Sequence, residues 1–163
     1  MDTKKIAYGG IFAALAILMG YVEAMLPLPF PTGVKLGLSN VVVVLALYVM
    51  GEKEAFGISL LRVFLSALLF KGFLSFWYSC AGALLSFFVM MAAKKSRHLS
   101  IYGVSMLGGV AHNMGQMCVA ALLLGRSVVL FLAPILMVCG VATGLGIGLI
   151  SHYCTQYVKK HYP

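Results

Sequence analysis

Residues 27–51 read PLPFPTGVKLGLSNVVVVLALYVMG. Pro27, Pro29 and Pro31 fix φ and remove backbone donors, so no helix runs through them and the connector is semi-rigid. Gly33 lets the chain turn. Lys35, Ser39 and Asn40 then stand at the mouth of an apolar run from Val41 to Met50. Upstream, residues 6–26 are almost as oily. A chain that breaks an apolar run with a stiff, polar-tipped connector and at once resumes another has the pattern of successive membrane spans, each about 20 apolar residues long as a helix.

The rest of the sequence extends that pattern. Of 163 residues, 62% are hydrophobic and 10% charged, with mean hydropathy +1.02. A soluble domain carries about 25% charged residues, so this chain cannot cover its apolar surface with a polar one. The expected fold is all-α: a single integral membrane domain, residues 1–163, built as a polytopic bundle of six transmembrane helices. Runs between polar or proline breaks place these near 4–26, 36–51, 54–70, 72–93, 100–124 and 128–158. The second and third are short, and the last exceeds what a bilayer needs, so it tilts, kinks near Pro134 or emerges from the membrane. The first reads as a retained helix rather than a cleaved signal sequence, since its apolar part is long and no small-residue cleavage site precedes the prolines.

The net charge of +8 does not point to nucleic acid, because the charges lie at the ends of apolar segments. With six spans the termini share a side. That side receives eight basic residues (Lys4, Lys5, Lys53, Lys94, Lys95, Arg97, Lys159 and Lys160), against Lys35, Lys71 and Arg126 on the other. Positive residues favour the cytoplasm, so both termini are expected inside and the proline connector outside. Cys80, Cys118, Cys139 and Cys154 are scattered without a CxxC pair and read as small buried hydrophobes.

Some polar residues lie where a bilayer penalises them. A charge near the centre of a span costs roughly 2.5–3.5 kcal/mol on insertion scales and usually faces the bundle interior. Arg62 is midway along the third span, Glu23 near the outer end of the first, and Ser39 and Asn40 one turn into the second. In the fifth, AHNMGQ (111–116) sets His112 and Gln116 on one face, with Asn113 beside it. Together with Lys35, these residues can line one cavity opening outward beneath the connector. Alternatively, Arg62 pairs with Glu23, and the amides and imidazole only bond helix to helix. The surplus of Lys35, Arg62, Lys71 and Arg126 over Glu23 favours an anionic or carbonyl-bearing small-molecule ligand. Trp77 and Tyr78 suit an interfacial anchor, or stacking on a ring.

Small residues define two close-packing faces. Gly140, Gly144 and Gly148 form a groove in the sixth span suited to packing inside the bundle. Gly9, Gly10, Ala13 and Ala14 form two pairs in the first, for internal packing or for a partner subunit. Chemistry-bearing motifs are missing. No GxxxxGK[ST], HExxH or GxSxG occurs, and the four acidic residues (Asp2, Glu23, Glu52, Glu54) include no aspartate cluster to hold magnesium on a diphosphate. No catalytic residue, cofactor or metal site is expected.

The stretches GVKLGLSN (33–40), LLRVFLSALLF (60–70), GALLSFFVM (82–90) and GVAHNMGQMCVAALLL (109–124) resemble the Gx transporter family, often labelled heptaprenyl diphosphate synthase component I. That family is similar to the substrate-binding S components of energy-coupling factor (ECF) transporters. Ser39 stands where the family commonly has alanine. The resemblance implies a six-helix S-component fold in the plasma membrane of a prokaryote, with the pocket in its outer half. It implies contact between small residues of the first helix, Gly9/Ala13 or Gly10/Ala14, and a transmembrane coupling subunit driven by ATPase subunits. Glycine there replaces the first alanine of the usual contact pair. The synthase label fits only an accessory role, because Asp2 is the sole aspartate. The family also resembles a membrane subunit of flavin-based extracellular electron transfer, which implies an isoprenoid or quinone-related ligand as an alternative.

Overall fold

The computed structural model describes residues 3–26, 37–96 and 98–161. The proline connector and Lys35 lie outside these residues. The described chain is helical: α1 (Thr3–Met25), α2 (Asn40–Val49), α3 (Glu52–Ser66), a π-helical turn (Ala67–Lys71), α4 (Gly72–Lys95), α5 (Ile101–Leu124) and α6 (Arg126–His161). The helices follow the expected spans to within a few residues. Four of them, α1, α4, α5 and α6, are long and apolar enough to cross a membrane.

The other two fall short for different reasons. α2 has ten residues, about 15 Å at 1.5 Å per residue, or half a hydrocarbon core of about 30 Å. Its ends are set by glycines in the left-handed region: Gly37 at φ 78° just before it and Gly51 at φ 119° just after. α3 has fifteen residues, of which Glu52, Lys53, Glu54 and Arg62 are charged.

The shortest helix is the centre of the molecule. α2 touches α1, α3 and α6, and its residues from Val42 to Leu47 are all buried. A helix apolar on every side is a core helix. Phe12 and Ala16 of α1, Ile58 of α3, Phe87 and Met90 of α4, Val104 of α5 and Ile147 of α6 close around it. At its C-terminal end, the Lys94 ammonium of α4 donates to the Leu47 carbonyl at 2.6 Å. A cation there satisfies an orphan carbonyl and complements the helix dipole.

On the opposite side, α5 packs against α4 and α6 at glycines. A Cβ on Gly144 would stand 2.6 Å from the Met106 Cα, and one on Gly148 2.9 Å from the Tyr102 Cα. A Cβ on Gly109 would collide with the Gly140 carbonyl oxygen. The small-residue ridge of α6 thus packs within the bundle. Small faces allow backbones to approach where lipid provides no hydrophobic drive for helix association.

Candidate functional site

The polar residues singled out by depth come together at the head of α2. Glu23 (α1), Ser39 and Asn40 (entering α2), Arg62 (α3), and His112 and Gln116 (α5) are each at least 95% buried. Gly37 starts the arrangement. Its left-handed backbone turns the chain so that its carbonyl accepts from the Asn40 N–H at 2.8 Å. Its own N–H donates to the Glu23 carboxylate at 2.5 Å. The Arg62 guanidinium then spans the mouth of α2, donating through Nη1 to Ser39 Oγ and through Nη2 to Asn40 Oδ1, the latter at 2.6 Å. Ser39 therefore serves Arg62 and makes no side-chain cap to its own helix.

His112 completes the cluster from α5. Gln116 Nε2 lies 2.7 Å from His112 Nε2. With the amide nitrogen donating, a neutral imidazole carries its proton on Nδ1. The ring lies in a slot made by two glycines distant in sequence. A Cβ on Gly82 of α4 would stand 2.9 Å from His112 Cε1, and one on Gly37 3.2 Å from Cδ2.

Glu23, Gly37, Ser39, Arg62, Val63, Ser66, Ser79 and His112 surround a hollow of about 20 Å³. That is room for one water, which needs roughly 10–15 Å³. Two donors, Arg62 Nε and Asn40 Nδ2, are buried without a partner among the described residues. A buried, unpaired donor costs about 1–3 kcal/mol; of the two residues, Arg62 lines the hollow and Asn40 does not. Arg62 and Glu23 face it with opposite charges, making the site close to neutral overall.

Asn113 goes elsewhere. One position along from His112, and so rotated about 100° around α5, it donates from Nδ2 to the Leu136 carbonyl of α6 at 2.6 Å. It bonds helix to helix rather than lining the hollow. Trp77 and Tyr78 also part: Trp77 is half exposed and Tyr78 is buried. On α1, Ala13 is buried and Gly9 half-buried while Gly10 and Ala14 are exposed, so one small pair turns toward the bundle and the other, about 100° around the helix, outward. Sequence reading missed Gly37, Gly82, Ser66 and Ser79. The first of these lies in the KLGLSN stretch, and a glycine between polar residues at a helix entrance was the available signal. Among the described residues, no three His, Cys, Asp or Glu side chains converge to hold a metal ion.

A chain of long apolar helices enclosing a charged, hydrogen-bonded cluster is a polytopic membrane protein. Residues 12–154 match the family described as heptaprenyl diphosphate synthase component I, and the chain belongs to that family. Comparisons with curated proteins and with solved structures found no match.

Proposed function

We propose that the chain is the membrane-embedded binding subunit of an uptake system, of S-component type, which captures a small molecule from outside and relies on a separate ECF ATPase module for energy. In this reading residues 1–163 form one membrane domain in a prokaryotic plasma membrane with both termini cytoplasmic. α2, inside the bundle, and α3, with one face exposed, count as the remaining two of six spans.

The observation that carries the reading is the convergence of Glu23, Ser39, Arg62 and His112, from α1, the start of α2, α3 and α5, around one hollow, with Asn40 hydrogen-bonded to Arg62 and Gln116 to His112. The hollow admits one water, so a ligand enters by parting the helices around it. Asn113 supports the site by fixing α5 against α6. Gly10 and Ala14, exposed on α1, are the pair available to a coupling subunit, while Gly9 and Ala13 serve the bundle.

Mass spectrometry of small molecules retained by gently purified protein tests this reading, together with uptake by cells carrying Arg62→Ala or His112→Ala. Retained ligand and lost uptake support it. An empty protein with unaltered uptake in both variants counts against it. The family description favours a second reading, a non-catalytic membrane accessory in isoprenoid or quinone metabolism. Co-purification of a prenyltransferase or flavoprotein without an ECF coupling subunit would select that one.

A further inference from the structure

Five parts of the chain wall the hollow at the head of α2, and of the eight residues around it only Gly37 and Val63 lack a polar side chain. Two of the others, Arg62 and Glu23, are deeply buried and opposite in charge. They make no direct ion pair: the one that the described residues form is Lys95–Glu52, near the surface. The bonds of the guanidinium are unevenly distributed. Nη1 and Nη2 donate to Ser39 and Asn40, whereas Nε–H has no partner among the described residues. Glu23 accepts from the Gly37 N–H, and a carboxylate has sites for about four such bonds.

We propose that the hollow is a binding site for one ordered water, which accepts from Arg62 Nε–H and donates to the Glu23 carboxylate, joining the two buried charges. This goes beyond the binding-subunit reading and holds equally for an accessory protein. Size comes first: the hollow of about 20 Å³ holds one water, for which roughly 10–15 Å³ suffices. Charge then decides among occupants of that size. A sodium or ammonium ion would lie against the guanidinium, and a chloride against the carboxylate. In so dry a place neither repulsion is screened. Water is neutral, and it has an acceptor for one group and donors for the other. The hydroxyls of Ser39 and Ser66 rotate to donate or accept, so the two to four partners of a buried water are at hand. Immobilising a water costs no more than leaving a charged donor unpaired. Any larger ligand at this place has first to displace it.

The unpaired donor is itself the reporter. The chain has three arginines, Arg62, Arg97 and Arg126, whose Nε resonances lie apart from the backbone amides, so Arg97→Lys and Arg126→Lys identify the third. The experiment measures magnetic cross-relaxation between water and the Arg62 Hε in full-length, isotope-labelled protein in deuterated detergent. Comparing the laboratory and rotating frames separates a held water from proton exchange. A held-water signal is expected in the wild-type protein whatever the sodium chloride concentration. Ser66→Val and Ser79→Val each replace a hydroxyl at the hollow by a methyl group and add a second, and should abolish the signal. Ser66→Ala only removes a hydroxyl and should keep it.

No held-water signal at the Arg62 Hε of the folded wild-type protein overturns the proposal. A signal that survives in both valine variants, or in whichever of them folds, places the water elsewhere and overturns it too. Loss of the signal in Ser66→Ala traces it to the hydroxyl proton, with the same consequence. A saturable shift of the Hε resonance on adding sodium chloride, with loss of the water signal, makes an ion the occupant instead. Should neither valine variant fold, the wild-type, alanine and salt results still decide.

Discussion

The α5–α6 seam and the head of α2 are both buried, and they are built on opposite terms. At the seam, Gly109, Gly140, Gly144 and Gly148 let backbones touch, with no room for another carbon. At the head of α2, side chains from four helices meet, and they leave a hollow and two open donors. Close backbone packing gives one arrangement and little freedom. A polar cluster with unsatisfied groups is less stable than it could be. Rigidity on one side holds α5, and with it His112, in position to complete the other.

This contrast can be broken at several points, and the expected effects descend. Arg62→Met leaves Glu23 buried without its countercharge and strips Ser39 and Asn40 of their donor. It should cost about 3 kcal/mol or more, as for removing the countercharge of a buried carboxylate together with two hydrogen bonds, read as a lowered unfolding midpoint in detergent titration. Pairing it with Glu23→Gln should recover part of that loss, and strict additivity would show the two charges do not interact. Gly109→Ala should cost about 1–3 kcal/mol by overpacking, with no change in ligand retention beyond that due to unfolding.

Gly82→Ala sharpens the comparison because one glycine of α4 combines close approach to the α5 backbone with contact to the His112 ring. Its methyl group meets the His112 ring and main-chain oxygen, each at 2.9 Å. A stability loss of about 1–2 kcal/mol is expected, with loss of ligand retention in the protein that remains folded. Normal retention would mean the imidazole position is irrelevant to binding. The smallest effect is expected at the surface, where Lys95 lies 3.5 Å from Glu52 and both side chains are well exposed. Lys95→Ala should shift the midpoint by less than about 1 kcal/mol, and a larger loss would point to a wider charge network at that end.

The polar cluster was half legible in the chain. Arg62 and Glu23 stood out because charges in apolar runs are rare, and the four-residue spacing of His112 and Gln116 placed them on one face. The destination of Asn113 was not legible, since its partner is a backbone carbonyl 23 residues away on another helix. Nor was the size of the hollow. Depth matching gives the level of a side chain in the membrane but says nothing of its neighbours' rotation. Trp77 and Tyr78 make the same point, as adjacent residues of equal depth and opposite exposure.

By itself the sequence determined that this is a membrane-embedded, all-helical chain, and it set the order and approximate ends of the helices. Those follow from local physics: apolar length against bilayer thickness, and prolines, glycines and charges that end a run. Tertiary structure alone decided that ten-residue α2 is the core, that Gly10 and Ala14 face outward, and that Gly37 and Gly82 make the slot for His112. Each of these depends on how helices far apart in the chain rotate and approach one another, and a linear pattern does not carry that information.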